Sequence, residues 1–490
     1  MNAHAQPRLS TTTLGKCQAY LSSRQWRTPG IGIVHLGPGN FHRAHQAPFT
    51  EDAMIQAGGD WGICGVLMRG DIARRHAFAA QNGLYSVIER SRDDTRVHIV
   101  RSITEMLAMP HDFDAVFSRL RHPGVRIVSL TITEKGYCLA AGGEGLDTLH
   151  PDIVHDLEHP DKPITAVGVL VAALAQRHTA PFTVMSCDNL QHNGEALRRA
   201  VLDFARLVQP ELADWIAESV PFPSTMVDRI TPVTTGSDLA DAAEQLGVRD
   251  ELAVSCEFFR QWVIEDRFPH GRPAWERAGA QFVESVTPYE QAKLRMLNGS
   301  HSAIAYLSMI AGFSTVDKAV ADEPMHALIR AMMTDEIAPT LTVPASFDLH
   351  AYRDTLLERL ANPALRHRCD QIAADGSKKL PQRLLAPLRE RLAAGASIRR
   401  LALAVAAWMR HLRGESELGT PYPISDPMSD RLVRIARATG DNPAATVNRL
   451  LAVREIFPES LASHEHFVCE VQQAVAALQA GVRNAIRKYR

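Results

Sequence analysis

The segment from Tyr289 to His301 (YEQAKLRMLNGSH) gathers a glutamate, a lysine, an asparagine and a histidine, the residue types that proton transfer and oxyanion stabilisation require. Placed on a helix at 100° per residue with Lys293 at the origin, Glu290 falls at about 60°, His301 at about 80° and Asn298 at about 140°. Four polar groups then share one face. Leu294 and Leu297 lie on the same arc, and such a mixture is either solvated or the wall of a polar cleft. Gly299 is disfavoured inside a helix by about 1 kcal/mol relative to alanine, which points to backbone approaching something closely.

A second cluster is Gly37-Pro38-Gly39-Asn40-Phe41-His42, which follows the apolar run Gly32 to Leu36 and precedes the helical pattern of Arg43 to Met54. The first glycine permits a tight turn, and the second lets backbone approach a pyrophosphate held at a helix amino terminus. Gly37, Gly39, Asn40 and Phe41 are therefore the candidate dinucleotide cradle. His42 stands where the usual fingerprint has a third glycine. A strand over Trp61 to Leu67 ends near Asp71, which can accept hydrogen bonds from a ribose and favours NAD. Arg69, Arg74 and Arg75 suit a 2′-phosphate instead, or simply neutralise Asp71 at a solvated helix start. Glu134 and Lys135 follow a strand at Arg126 to Thr133, at the carboxyl edge where such sheets bind ligands. Asn189 follows Phe182 to Ser186, a position that also suits a turn or helix cap.

The elements that must position these groups alternate. Short β-branched runs and helical stretches (Ala166 to His178, Glu195 to Leu207) predict a parallel sheet covered on both faces. Beyond about residue 285 helix formers dominate, at Gln291 to Leu307, Met325 to Met333, Ala351 to Leu360 and Arg399 to Leu412. Two domains are expected, residues 1–285 and 286–490, with a catalytic cleft between them as the default site. The chain has 490 residues, 46% hydrophobic and 22% charged, with a formal net charge of −2, so neither a nucleic-acid face nor a polyanionic tail is implied. The longest apolar run, Leu401 to Met409, is too short to span a membrane. The amino terminus does not read as a secretory signal, and a cytoplasmic location is expected. Seven cysteines without a CxxC pair suit reduced thiols. With no HExxH and only His42-Arg-Ala-His45 as a tight pair, no metal is expected.

Seven blocks of this chain resemble the polyol-specific long-chain dehydrogenases/reductases, the family of mannitol 2-dehydrogenase and the uronate reductases. They are IVHLGPGNFHRAHQA (33–47), IVSLTITEKGYC (127–138), FTVMSCDNLQHNG (182–194), MVDRITP (226–232), QWVIEDRFPHGRPAW (261–275), KLRMLNGSH (293–301) and ADGSKKLPQRLL (374–385). The resemblance implies an α/β fold with a Rossmann-type amino-terminal domain and a mostly α-helical carboxy-terminal domain. It further implies metal-independent hydride exchange between NAD and a secondary alcohol or ketone. By matching motif positions, Lys293 is the general acid/base, Asn189 and Asn298 hold the reacting oxygen, His301 bonds the substrate, Glu290 helps relay the proton, and Asp228 lies on the substrate side. Such a lysine works near neutral pH if burial lowers its pKa toward about 7 to 8. Tyr289 and Lys293 also form a YxxxK pair, the spacing of short-chain dehydrogenases, but they stand about 250 residues beyond Gly39, too far for that single-domain architecture.

Within that family a uronate requires a cation that a hexitol does not. Arg295, Lys378, Lys379 and Arg383 lie in or beside the substrate-side blocks, and Gln371 stands where the mannitol branch is expected to have arginine. A bidentate arginine on a carboxylate is worth several kcal/mol in a desolvated pocket. The expected substrate is therefore a small sugar acid, D-fructuronate reduced to D-mannonate, with a mannitol/fructose or other polyol couple, or tagaturonate, as alternatives. Arg295, at about 200° on the wheel, borders the catalytic arc, so ion pairing within the chain is open for it and for Arg383. No heptad demands a partner, and a monomer or weak oligomer is expected.

Overall fold

The computed structural model describes residues 6–17, 26–140, 145–365 and 367–490; the first five residues of the amino terminus read above lie outside them. The chain divides into two compact units, Met1–Thr287 and Pro288–Arg490. Eleven strands are present among the described residues: β1 (Ile31–Leu36), β2 (Gly62–Leu67), β3 (Tyr85–Arg90), β4 (Thr95–Val100), β5 (Ile103–Ala108), β6 (Ile127–Leu130), β7 (Thr183–Ser186), β8 (Thr225–Asp228), β9 (Val254–Glu257), β10 (Gln261–Glu265) and β11 (Gln281–Val283). All lie in the first unit.

Five strands form one sheet in the order β5-β2-β1-β6-β7, every neighbouring pair parallel. Their near-continuous burial follows from helices covering both faces, which is why these strands read as apolar runs rather than alternating ones. The order reverses between β1 and β6, and the crevice outside the carboxyl ends of those strands is where open α/β sheets bind ligands. Two three-stranded sheets, β11-β10-β8 and β4-β3-β9, complete the unit. The strand expected over Arg126 to Thr133 is shorter, because the chain leaves the sheet at Thr131 and turns into a 3-10 helix, Glu134–Tyr137. The helix expected over Arg43 to Met54 is two, Asn40–Ala44 and Gln46–Ala57, broken at His45.

The second unit is helical throughout. Its central helix, Arg399–His411, buries ten of its thirteen residues, so the apolar run at Leu401 to Met409 is a core helix wrapped on all sides. The helix expected over Gln291 to Leu307 is not uniform. Thr287–Ala292 is α, Lys293–Gly299 is π, and Ser300–Ala311 returns to α. Two further π stretches occupy Met332–Ile337 and Pro381–Leu385.

Candidate active site

In the first unit the glycine turn sits directly above β1. Gly37 has φ +85°, and a Cβ there would lie 2.3 Å from the Thr131 carbonyl oxygen, so both conformation and space demand glycine. A Cβ at Gly39 would meet nothing nearer than the Gly37 oxygen at 3.9 Å, leaving open room beside the turn. The first helical bond is Arg43 N–H to Gly39 O at 3.1 Å, so the N–H groups of Asn40, Phe41 and His42 precede the intrahelical ladder. A pyrophosphate fits this backbone surface. Asn40 also braces the turn, its Oδ1 accepting from Arg43 Nη2 at 2.7 Å and its Nδ2 donating to Thr234 Oγ1 at 3.2 Å. Phe41 stacks on His45.

His42 stacks on His35 of β1 with ring centroids 3.5 Å apart, filling the helix–strand space that a third glycine would have closed. His45 Nε2 bonds the Gln261 carbonyl oxygen at 2.9 Å. The tight histidine pair is thus packing, and no group of three metal-ligating side chains occurs among the described residues. Burial pushes His35 and His45 down to about 3, and His42 well below the usual histidine range, with His35 and Arg43 adding to the effect. All three rings are neutral.

Asp71 follows β2 and caps the helix Ile72–Ala80. It accepts the Arg74 N–H at 3.0 Å and pairs with the Arg74 guanidinium at 3.2 Å. Glu134 and Lys135 are exposed on the 3-10 helix after β6, and Asn189 is exposed after β7. Beside Asn189, the carboxylate of Asp188 accepts the N–H groups of Ile132 (3.0 Å) and Thr133 (2.8 Å) and the Tyr137 hydroxyl (2.7 Å). Asp188 was not singled out by sequence; its only signal was adjacency to Asn189. Asp228 ends β8 and is 3% exposed. Arg229 beside it is buried too, binding Glu89 and the Glu257 and Ala44 carbonyl oxygens.

In the second unit the π segment changes the geometry of the polar arc. In a helix closed by i→i+5 bonds, residues five apart stand on adjacent turns, so Asn298 rises over Lys293 rather than falling about 140° round the axis. Such π insertions are frequent at functional sites. Lys293, Asn298 and Glu290 are each partly exposed, while His301 is buried. Tyr289 is buried edge-on against Phe347, held as a packing residue.

Gly299 meets what its presence implied. A Cβ there would lie 2.8 Å from the backbone oxygen of Arg383, so the two π segments touch through backbone. From that contact the Arg383 guanidinium reaches back to Ser302 Oγ (3.2 Å) and the Asn298 carbonyl oxygen (3.4 Å). Lys379 donates to the Ala374 (2.5 Å) and Ile372 (3.3 Å) carbonyl oxygens, closing the end of the helix Cys369–Ala373. Lys378 is exposed.

Arg295 takes the ion pairing left open for it. Its guanidinium forms a bidentate pair with Glu390, both bonds 2.7 Å, and donates to the Thr340 carbonyl oxygen at 2.7 Å. The guanidinium thus pairs with a carboxylate of its own chain.

Burial pushes His301 well below the usual histidine range, reinforced by His367 and by the cations Arg383, Arg359 and Lys379. The His367 ring stands edge-on to His301 at 5.1 Å, with its Nδ1 buried and without a partner. Burial therefore favours the uncharged ring at His301. His367 was not distinguishable in sequence, because it meets His301 by tertiary packing from beyond the motif segments.

Residues 31–277 match the model of the mannitol dehydrogenase Rossmann domain, and residues 285–479 that of the mannitol dehydrogenase C-terminal domain. The chain is 46% identical over 446 residues to the uncharacterized oxidoreductase YeiQ of Escherichia coli K12, spanning 90% of this chain and 91% of that protein. It is 46% identical over 462 residues to the D-mannonate oxidoreductase of the same organism, spanning 93% and 94%. The solved Pseudomonas fluorescens mannitol 2-dehydrogenase, a ternary complex with NAD and D-mannitol, superposes with a TM-score of 0.85 at 39% identity, covering 98% of this chain and 99% of that one.

Proposed function

Since the chain belongs to the mannitol dehydrogenase family, we propose that it is an NAD-dependent, metal-independent oxidoreductase that reduces D-fructuronate to D-mannonate. The observation that carries the uronate reading is the Arg383 guanidinium, which reaches the Asn298 carbonyl oxygen (3.4 Å) and Ser302 Oγ (3.2 Å) beside the amide that holds the reacting oxygen. A cation there favours a carboxylate and has nothing to neutralise on a hexitol.

NAD is held by the backbone turn Gly37–Phe41, with Asp71 toward the ribose and Glu134 and Lys135 at the sheet edge; when bound as NADH it supplies the hydride. Asn298 donates its amide N–H to the ketone oxygen as charge develops there, a stabilisation that needs no reorganisation if the donor is already in place. Lys293 gives that oxygen its proton, and Glu290 restores the proton to Lys293. His301, being neutral, bonds a substrate hydroxyl without competing for the proton. Asn189 is assigned the second amide, and Asp228 a substrate-side role, by motif match alone. The first unit thus serves as the dinucleotide domain and the second as the substrate domain.

A polyol couple is the second reading. The Arg295–Glu390 pair favours it, since one expected carboxylate ligand is already matched within the chain. The discriminating experiment is NADH oxidation with D-fructuronate and D-fructose side by side, repeated with NADPH and with a chelator. Turnover of the uronate alone supports the reading. Preference for fructose makes the cations structural and the protein a mannitol-type dehydrogenase.

A further inference from the structure

We propose that Asp188 is a positioning residue that locks the loop after β6 in a strained shape and so aligns Glu134 and Lys135 with Asn189 along one sheet edge. This rests on the reading of that edge as the cofactor side. The strain is at Thr133, whose φ of +66° and ψ of 162° lie in a region that glycine populates and β-branched residues avoid. Such a residue persists only where its surroundings over-determine it.

The over-determination is visible. Asp188 Oδ2 takes the Ile132 N–H and Oδ1 the Thr133 N–H, so one carboxylate grips both peptides leading into the strained residue. Tyr137, at the end of the 3-10 helix, donates its hydroxyl to Oδ2, and that hydroxyl also contacts Ser186 Oγ at 2.5 Å. The loop is therefore tied at both ends to the segment that ends and leaves β7, Ser186 and Asp188. Gly136 completes the fold-back, since a Cβ there would lie 2.9 Å from Ile132 side-chain carbons. Because Asp188 precedes Asn189 directly, the group that shapes one loop is one peptide from the amide on the next.

The chemistry demands a carboxylate. Three donors converge on two oxygens, and an asparagine would turn an N–H₂ toward one of them. In the full chain, Asp188→Asn is expected to speed amide exchange at Ile132 and Thr133 about tenfold or more and to weaken NADH binding, followed by fluorescence titration, about five- to fiftyfold. The double variant Asp188→Asn/Thr133→Gly is expected to regain about threefold or more of that affinity, because glycine adopts the conformation without the lock. A merely structural loss would show no such rescue. Native NADH affinity in Asp188→Asn, or a double variant no tighter than the single one, overturns the proposal. Should Asp188→Asn fail to fold, Tyr137→Phe removes one tie and leaves both backbone bonds; faster exchange at Thr133 with weaker NADH binding supports the lock, and no change in either overturns it. If the native chain does not bind NADH at all, the reading of the edge fails, while exchange at Ile132 and Thr133 still decides the lock.

Discussion

Gly299→Ala tests the meeting of the two π segments. Gly299 has φ −63° and ψ −47°, ordinary helical values, so glycine is required there only for space. The added methyl would lie 2.8 Å from the Arg383 oxygen, about 0.6 Å inside ordinary van der Waals contact. Alanine gains about 1 kcal/mol of helix propensity, and overpacking costs about 1–3 kcal/mol, so the net loss is about 0–2 kcal/mol. For a unit of this size that lowers its Tm by about 8 °C at most. Activity falls further, because Asn298 and Arg383 flank the contact and must move apart. Misplacement by about 1 Å can reduce a rate about a hundredfold, so about 0.6 Å predicts a ten- to thirtyfold loss in kcat/KM. Steady-state NADH oxidation with D-fructuronate and a thermal melt on the same preparation measure both. Native kcat/KM with an unchanged Tm would refute the close apposition, and a melt lowered in proportion to lost activity would refute its catalytic relevance.

Lys293→Ala should lower kcat by about 10²–10⁴-fold with NADH affinity within about threefold of native, whereas Tyr289→Phe should keep its activity; the reverse pattern would restore the tyrosine as acid. Arg383→Ala should raise KM for a uronate about tenfold or more beyond any rise for a neutral ketose, consistent with a lost charge-assisted bond of about 1.5–3 kcal/mol. Arg295→Met, by contrast, should lower the Tm of its unit and leave the acid-to-ketose preference unchanged, a comparison read from paired kinetics and melts. Folding stability should fall as pH drops from about 6.5 toward 3. His35, His42 and His45 are held neutral in the fold, so the unfolded chain binds more protons in that window, and each contributes about 1.4 kcal/mol per pH unit. Urea unfolding at pH 7, 6 and 5 measures the slope, and a flat profile would contradict the buried neutral rings.

Much of this protein was legible locally. The apolar runs at Gly32 to Leu36 and Phe182 to Ser186 became the central and an edge strand of a parallel sheet, since burial on both faces writes itself as an unbroken apolar run. Gly37 announced its turn and Gly299 its close approach, because a missing side chain marks a steric demand even when the opposing atom is unknown. Helix-rich composition past residue 285 likewise foretold a helical second unit.

What escaped was set by partners far along the chain. A uniform helical wheel placed Arg295 beside the catalytic arc, yet a π turn and Glu390, 95 residues away, decided its direction. Arg383 lies 85 residues from the Asn298 carbonyl it bonds, and Asp188 lies 55 from the Thr133 it restrains. Hydrogen-bond periodicity depends on packing as well as on local propensity, and a charge pairs with whichever opposite charge the fold delivers first. The residue types and the strand, turn and helix pattern were determined by the sequence alone; which cation bonds the Asn298 carbonyl and which faces Glu390 was decided only in three dimensions, where distance along the chain no longer counts.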